Sequence, residues 1–327
     1  MRILSGVQPS GELHLGNFFG AIQQHIALQD QGDAFYFIAD YHALTTVQDG
    51  ARLRELVRDV AATYLALGLD PAKATFFRQS DVPEVHELTW MLEAVTGMGL
   101  LERAHSYKDK VARGIRPTVG LFTYPALMAA DILIYGSKVV PVGQDQVQHV
   151  EIAQDMAQSF NAAFGTDVLV RPEARLSEVP KVPGVDGQKM SKSYGNTIPI
   201  FASGKRLKKA VNAIVTDSKD PKVEPLDPET CNAFAIYALF ASPDERAELA
   251  RTYREDRGFL GYGVTKKKIM ERMDERFGPA RERYEALKQP KSELDDVLAA
   301  GGRKARAVAQ LTIERCREAT GLGKRLT

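Results

Sequence analysis

The most constraining feature of the sequence is a glycine-flanked turn that joins a short apolar segment to an amphipathic one. Residues Ile3 to Val7 suit a buried strand, and from Leu15 onward apolar side chains recur at helical spacing. Residues 8–14 therefore form the turn of a predicted strand–turn–helix unit. A helix start of this kind offers unpaired backbone N–H groups and the positive end of the helix dipole, so it favours binding of a phosphate group.

Several residues of this turn carry groups that suit a phosphate ligand. His14 and Asn17 place side-chain donors on the first turn of the predicted helix, and Ser10 adds a hydroxyl group. Gly11 and Gly16 lack the Cβ atoms that would hold a phosphate away from the backbone. The turn is a weak motif on its own, because glycines also shape ordinary loops between a strand and a helix.

A second polar motif lies far along the chain, where residues 189–193 read KMSKS. Its flanking residues are mostly polar or glycine, which predicts a mobile loop that carries the ammonium groups of Lys189 and Lys192. Two lysines beside serines usually form a solvated surface loop. That interpretation does not explain why the same chain also carries a His-x-Gly-Asn turn at residues 14–17.

The two motifs together resemble the two signatures of class I aminoacyl-tRNA synthetases. Within that class, the surrounding residues are most similar to the bacterial tryptophanyl-tRNA synthetases, and the similarity extends over essentially the whole chain. Asn17 replaces the second histidine of the first signature, and its amide can still donate to a phosphate oxygen. The matching segments, in chain order, are GVQPSG at 6–11, LMAADIL at 127–133, PVGQDQ at 141–146 and KMSKS at 189–193.

This resemblance implies an enzyme that activates L-tryptophan with ATP and Mg²⁺ and transfers it to tRNA(Trp). The catalytic residues that it implies are His14, Asn17, Lys189 and Lys192. The ATP contacts that it implies are Gln8, Pro9, Ser10, Gly16, Asn17, Gly143, Gln144, Asp145, Val182, Lys189, Met190, Ser191, Lys192 and Ser193. The tryptophan contacts that it implies are Gly6, Tyr124, Met128, Asp131 and Gln146. It implies no metal ligand among the protein's side chains.

Asp131 is the most informative single residue of the predicted tryptophan site. Tyr124, Met128, Asp131 and Tyr135 fall on one face of a strongly apolar helix. A carboxylate in such surroundings costs several kcal/mol unless it is paired. From the residues alone, a structural partner such as a helix-end N–H or a basic side chain is the simpler explanation. The resemblance implies instead that Asp131 accepts a hydrogen bond from the indole N–H of tryptophan.

Two histidines have both a functional and a structural interpretation. His42 follows the second predicted strand and would face the same crevice, but it is equally well explained as a capped loop histidine. His149 lies one helical turn beyond Gln146 and would support the site, although a histidine at such a position is more often part of a core. The sequence leaves both interpretations open.

The fold class follows from the alternation of apolar strand-like segments with amphipathic helices. After the first strand, residues 34–40, 74–78 and 139–142 have the length and composition of buried strands. This pattern predicts an α/β fold with a doubly wound, Rossmann-like parallel sheet, whose ligands bind at the carboxyl ends of the strands. No Gly-x-Gly-x-x-Gly motif follows the first strand, which argues against a dinucleotide cofactor.

The sequence divides into a predicted catalytic domain at residues 1–200 and a helical domain at residues 201–327. A helical pattern at about 82–121 interrupts the first domain, and the resemblance implies an insertion there that forms a homodimer interface. The resemblance also implies that the helical domain recognises the tRNA anticodon. Basic residues of its last segment suit contacts with a phosphate backbone, although such helices are often simply solvated: Arg303, Lys304, Arg306, Arg315, Arg317, Lys324 and Arg325.

Composition limits the compartment and the type of protein. The net charge of +1 hides an asymmetry, because the part from residue 203 onward holds 26 Lys and Arg against 20 Asp and Glu. Cys231 and Cys316 lie far apart, which indicates neither a zinc site nor a disulfide and favours a reducing compartment. No apolar run approaches the roughly 18 residues of a membrane span, so we expect a cytoplasmic protein without a membrane partner.

Three alternative functions remain from the sequence. A tyrosyl-tRNA synthetase shares both signatures, but the segments at 6–11 and 127–133 favour the tryptophan enzymes. A small-metabolite nucleotidylyltransferase uses a related His-x-Gly-His turn, and the long helical C-terminal part argues against it. A synthetase-like protein without catalysis is disfavoured because both signatures are intact.

Overall fold

A computed structural model describes residues 2–112, 114–143, 146–176, 181–220, 222–256, 258–259 and 261–323, without the side chains at 105, 106, 109 and 110. Five parallel strands form one sheet in the order β3-β2-β1-β4-β5. The strands are β1 (Arg2–Val7), β2 (Asp33–Ile38), β3 (Ala74–Arg78), β4 (Val139–Val142) and β5 (Glu173–Leu176). The predicted doubly wound parallel sheet is therefore confirmed, with the strand order reversing between β1 and β4.

Helices cover both faces of the sheet and form most of the C-terminal part. The first helical segment runs without a break through α1 (Leu15–Asn17), a π-helical turn (Phe18–Ile22) and α2 (Gln23–Leu28). The helices up to β5 are α3 (Asp40–Ala43), α4 (Gly50–Ala66), α5 (Glu84–Glu93), α6 (Met98–Glu102), α7 (His105–Ala112), α8 (Val119–Ile134) and α9 (Val147–Phe164). The helices after β5 are α10 (Gly204–Asn212), α11 (Asn232–Ala238), α12 (Pro243–Glu255), α13 (Tyr262–Lys288) and α14 (Leu294–Thr320).

The strand register brings three loops to one edge of the sheet. Val7 of β1 lies opposite Ile38 of β2, and Ile38 lies opposite Arg78 of β3. The residues that follow these three strands therefore meet at the carboxyl edge, where open α/β sheets bind their ligands. Alternate residues of β2 face opposite sides of the sheet, so Tyr36 joins one apolar core and Phe35 joins the other.

Two strand predictions need correction. The segment predicted as a strand at 34–40 forms β2 only as far as Ile38, because Asp40 already begins helix α3. Strand β5 was not predicted from the sequence. Three of its four residues are exposed and two of them are charged, Glu173 and Arg175, so it shows neither an apolar run nor a clear alternation. An edge strand of this kind gains its structure from pairing with β4 and leaves little signal in its own composition.

The last helix, α14, covers the free edge of the sheet. Gly301 and Gly302 lie against strand β3 and the turn after it, so closely that a Cβ atom on Gly301 would overlap the carbonyl oxygen of Phe76. The fully buried carboxylate of Glu84 accepts a hydrogen bond of 2.9 Å from Nε of Arg306 on α14. A C-terminal helix is thus anchored to the sheet, while the proposed domain boundary at residue 200 stays a prediction.

Substitution Gly301→Ala is expected to destabilise the fold. The added methyl group meets the backbone of β3, which cannot rotate away, so helix and strand must separate at an expected cost of about 1–3 kcal/mol. Thermal or urea unfolding of the variant measures this cost. Gly263→Ala is the matched control, because among the described residues nothing outside its own stretch of helix lies within 4 Å of a Cβ atom at that glycine. An unchanged stability of Gly301→Ala would contradict the close packing of α14 on β3.

Within the described residues, no helix combines the length and the apolar character that crossing a membrane requires.

Candidate active site

The turn between β1 and α1 holds His14 in a nearly closed environment. The side chain of His14 is mostly buried, and its backbone N–H donates to Oδ1 of Asn17 over 3.1 Å. This bond directs the amide oxygen of Asn17 toward the protein, so its NH₂ group is the part left to face a ligand. A Cβ atom on Gly16 would lie 2.9 Å from the His14 ring, so this ring position requires glycine there.

The imidazole of His14 is suited to a neutral donor. Burial, and secondarily the nearby charge of Lys192, lowers the pKa of His14 to about 4, so the ring is uncharged at neutral pH. Its Nδ1 atom is buried and has no hydrogen-bond partner within the part of the chain that the structure describes. Because buried polar atoms are rarely left unpaired, this atom indicates that a ligand completes the site.

The KMSKS loop packs directly onto this turn. Nζ of Lys192 donates to the carbonyl oxygen of Gly11 over 2.8 Å and to Oγ of Ser10 over 3.3 Å. Burial lowers the pKa of Lys192 to about 8, against the raising influence of Asp59 and Glu12. The ammonium group is therefore still mostly charged at neutral pH. The two motifs are far apart in sequence, but the structure brings them together as the sequence predicts.

The other residues of the loop differ in their surroundings. Met190 is buried, its backbone N–H donates to the carbonyl oxygen of Val182 over 2.9 Å, and its Sδ accepts from the backbone N–H of Gly16 over 3.3 Å. One of the N–H groups assigned to a phosphate thus faces a sulfur atom in this structure. The side chain of Lys189 is exposed, and Ser191 caps the short 3₁₀ helix Lys192–Tyr194.

A buried polar cluster lies at the same edge of the sheet, around Asp131 of helix α8. The residue is 2% exposed, and its Oδ2 accepts a hydrogen bond of 2.7 Å from Nε2 of Gln79 and lies 3.1 Å from Nε2 of His42. Burial raises the pKa of Asp131, and the contacts with His42 and Gln79 oppose that rise. The structural partner that the sequence left open is therefore observed, in the form of an imidazole and an amide.

Tyr124 and His149 extend this cluster. Tyr124 is buried, and its Oη lies 2.9 Å from Nε2 of His149. The Tyr124 ring packs edge-on against the His42 ring, with 6.1 Å between the centroids. His42 contacts Asp131 and Tyr124, and its functional interpretation stays a prediction, while His149 is a buried histidine paired to Tyr124.

The remaining predicted contacts lie around these two groups. Gln8 follows β1 and donates from Nε2 to the carbonyl oxygen of His42 over 3.3 Å, which connects the turn to the Asp131 cluster. A Cβ atom on Gly6 would lie 2.5 Å from the Phe37 ring, so the neighbouring strand already requires glycine at this position. Met128, Gly143 and Gln146 are half-buried. Gln144 and Asp145 lie outside the described residues.

Sequence reasoning missed two residues that organise the site, Gln79 and Asn196. Gln79 comes directly after β3 and is almost fully buried; it donates to Asp131, and its Oε1 accepts from the backbone N–H of His42 over 3.4 Å. Its position at the carboxyl end of a predicted strand was a signal that would have identified it. Asn196 was visible only as a neighbour of the KMSKS motif, and no pattern indicated its burial.

Comparison with known proteins matches the family described as tRNA synthetases class I (W and Y) over residues 1–278. Tryptophan–tRNA ligase of Rhodopirellula baltica is 52% identical over 323 residues, which cover 98% of this chain and 100% of the relative. The crystal structure of tryptophanyl-tRNA synthetase from Campylobacter jejuni complexed with ADP and tryptophan has 50% identity and a TM-score of 0.92, and the match covers 98% of this chain and 100% of that chain.

Proposed function

The chain belongs to the class I tRNA synthetases for tryptophan and tyrosine, and we propose that it joins L-tryptophan to tRNA(Trp). In the first step it activates tryptophan with ATP to tryptophanyl-adenylate and pyrophosphate, and in the second it transfers the tryptophanyl group to the tRNA. The observation that carries this proposal is that the turn holding His14 and Lys192 and the buried carboxylate of Asp131 lie at one edge of the sheet, connected by the hydrogen bond from Gln8 to the His42 carbonyl. Near-complete coverage of tryptophan–tRNA ligases at about half identity favours tryptophan over tyrosine.

Activation needs positioning and charge stabilisation more than a protein nucleophile. The tryptophan carboxylate attacks the α-phosphorus of ATP, a new acyl–phosphate bond forms, and the bond to pyrophosphate breaks. His14 and Asn17 donate to the triphosphate at the start of α1, and Lys189 and Lys192 stabilise the charge that develops on the leaving pyrophosphate. The unpaired Nδ1 of His14 supports its assignment as a ligand contact.

The rest of the nucleotide site follows from the family resemblance. We assign the triphosphate to Gln8, Pro9, Ser10 and Gly16, the adenine to Val182 and Met190, and the ribose to Gly143, Gln144 and Asp145. Among the described residues no group of three or more His, Cys, Asp or Glu is arranged to hold a metal ion. Mg²⁺, which the resemblance implies, would neutralise charge on the phosphate oxygens of ATP.

We assign recognition of the indole ring to Asp131. Its carboxylate accepts the indole N–H, while His42 and Gln79 hold that carboxylate in place. Gly6, Tyr124 and Met128 surround the ring, and Gln146 contacts the polar end of the amino acid. A substrate without an N–H at this point leaves a buried acceptor unpaired, which is the strongest kind of discrimination available to such a pocket.

The same proposal includes a homodimer in the cytoplasm. Four large apolar side chains are exposed among the described residues of the helical insertion at about 82–121: Trp90, Met98, Val111 and Val119. Trp90, the only tryptophan of the chain, is 72% exposed on α5, which is an unusual position for an indole ring unless a partner covers it. Sedimentation of the purified protein tests the dimer, and a monomer at micromolar concentration would contradict it.

Amino-acid-dependent ATP–pyrophosphate exchange, measured with each of the twenty amino acids, tests the activation step. We expect exchange with tryptophan alone. Exchange with tyrosine would assign the chain to the sister enzymes of the family, and exchange with none would contradict activation in the absence of tRNA. Charging of tRNA(Trp) with labelled tryptophan then tests the transfer step.

The lowered pKa of Lys192 predicts a pH dependence of activation. The lysine must be charged to stabilise the triphosphate, and the charged fraction falls as pH rises through the pKa of about 8. At saturating tryptophan, kcat/KM for ATP is therefore expected to decrease about tenfold per pH unit above that value, because this ratio reports the enzyme form that has not yet bound ATP. Substitution Lys192→Arg keeps the charge at all accessible pH values, so its residual activity should lack this decrease.

A further inference from the structure

The side chain of Asn196 connects three points of the KMSKS loop. The residue is 2% exposed and lies just beyond the motif. Its Oδ1 accepts a hydrogen bond of 2.8 Å from the backbone N–H of Ser191. Its Nδ2 donates to Oδ1 of Asp186 over 2.8 Å and to the carbonyl oxygen of Lys189 over 3.2 Å. A single amide thus uses its acceptor and its donors to hold the loop before, within and after the motif.

These bonds act on the backbone that carries both lysines. The Lys189 carbonyl is bonded directly, and Ser191 immediately precedes Lys192 and caps its short helix, with the Ser193 N–H donating to Ser191 Oγ over 3.3 Å. Lys192 then extends from this turn to the Gly11 carbonyl. The placement of its ammonium group therefore depends on a backbone that the Asn196 amide holds.

The opposite arm of the loop is shaped to enclose this amide. A Cβ atom on Gly184 would overlap the Asn196 amide group and would lie 2.8 Å from the Asn196 carbonyl oxygen. The same carbonyl accepts from the backbone N–H of Val185 over 3.0 Å. Asp186, which accepts from Asn196, also accepts from the backbone N–H of Gln188 over 3.0 Å. The amide is thus an internal brace of a loop whose surface is otherwise largely exposed.

We propose that Asn196 is a positioning residue for the activation step, which places Lys189 and Lys192 against the leaving pyrophosphate. This inference rests on the proposed function. A polar surface loop without such a brace gains conformational freedom, and a misplacement of about 1 Å in a catalytic group can lower a rate by about 10²-fold. Among the described residues, Asn196 forms no hydrogen bond with the Asp131 cluster or with the turn at residues 8–14. Its loss should therefore affect the rate of activation and not tryptophan binding.

Substitution Asn196→Ala tests the proposal in single-turnover formation of tryptophanyl-adenylate. We expect the rate to fall about 10- to 100-fold, with an unchanged tryptophan dissociation constant in the absence of ATP. Asn196→Asp, which keeps the shape and the acceptor but loses both donors, should show the same loss and serves if the alanine variant does not fold. The matched control is Asn161→Ala, because the Asn161 amide braces Leu169 near the far end of α9 with bonds of 2.8 and 3.2 Å.

A double-mutant cycle with Lys192→Ala separates positioning from a general structural effect. If Asn196 acts through Lys192, the Asn196 substitution should lower the rate much less in the Lys192→Ala background than in the wild type. Two results would overturn the inference. One is an equal fold-reduction of the rate by the Asn196 substitution in both backgrounds, and the other is an Asn196→Ala rate as high as that of Asn161→Ala. A wild-type protein without tryptophan-dependent exchange would overturn the proposed function itself, which is a different result from normal exchange with an unaffected Asn196 variant.

Discussion

Substitution Lys192→Ala is expected to lower the rate of tryptophanyl-adenylate formation by about 10²- to 10³-fold, the range found when a single charge-stabilising donor is removed. The physical reason is the position of Lys192. Its ammonium group lies 2.8 Å from the Gly11 carbonyl oxygen, inside the turn where we place the triphosphate. Tryptophan affinity without ATP should stay close to that of the wild type, because the Asp131 cluster, where we place the indole ring, does not include this lysine. Stopped-flow measurement of adenylate formation provides the rate, and equilibrium dialysis provides the affinity.

The control for this variant is Lys208→Ala, which removes an exposed lysine of helix α10. We expect this substitution to leave adenylate formation unchanged, since its side chain has no role in the proposed site. A Lys192→Ala enzyme that binds tryptophan much more weakly, or one that forms adenylate at the wild-type rate, would contradict the assigned role of Lys192.

Substitution Asp131→Asn is expected to reduce kcat/KM for tryptophan by about 10- to 100-fold. A hydrogen bond to a charged acceptor contributes about 1.5–3 kcal/mol, and the neutral amide keeps the shape of the side chain while losing that charge. Recognition of the indole N–H should weaken more than binding of the ring itself. The loss should therefore be far smaller for a tryptophan analogue in which sulfur replaces the indole N–H group.

Competition between tryptophan and the benzothiophene analogue in pyrophosphate exchange measures this selectivity. The wild type should strongly prefer tryptophan, and Asp131→Asn should reduce that preference. Thr75→Val is a suitable control, because it also removes a buried polar group. The hydroxyl group of Thr75 has no hydrogen-bond partner within the described residues. An Asp131→Asn enzyme with unchanged selectivity would show that the carboxylate has only a structural role, in its contacts with His42 and Gln79, and does not recognise the indole N–H.

Much of the fold and of the site could be predicted from local sequence. Strands β1, β3 and β4 are short apolar runs whose burial is visible in composition, and β1 leads into the turn that carries His14. The resemblance to tryptophanyl-tRNA synthetases, inferred from four segments of the chain, is confirmed by the matched family and by relatives at about 50% identity. The role of each individual site residue stays a prediction.

Contacts between distant segments were the part that local patterns did not contain. Gln79 reaches Asp131 across 52 positions of the chain, and α14 anchors to β3 through glycines that sequence reasoning passed over. Strand β5 is held by its pairing with β4 and not by burial of its own side chains, so its sequence contains no apolar run. Each of these features depends on a partner from elsewhere in the chain, so its own residues show little of it.

The amino-acid sequence by itself determined the sheet class, the turn between β1 and α1, and the family, because each depends on short runs of residue types with their own backbone preferences. Only the tertiary structure decided what surrounds the ionisable groups. Burial lowers the pKa of His14 and of Lys192, and His42 and Gln79, from the segments that follow β2 and β3, hold Asp131. Desolvation and hydrogen bonding depend on all atoms packed around a group, and that packing exists only after the chain has folded.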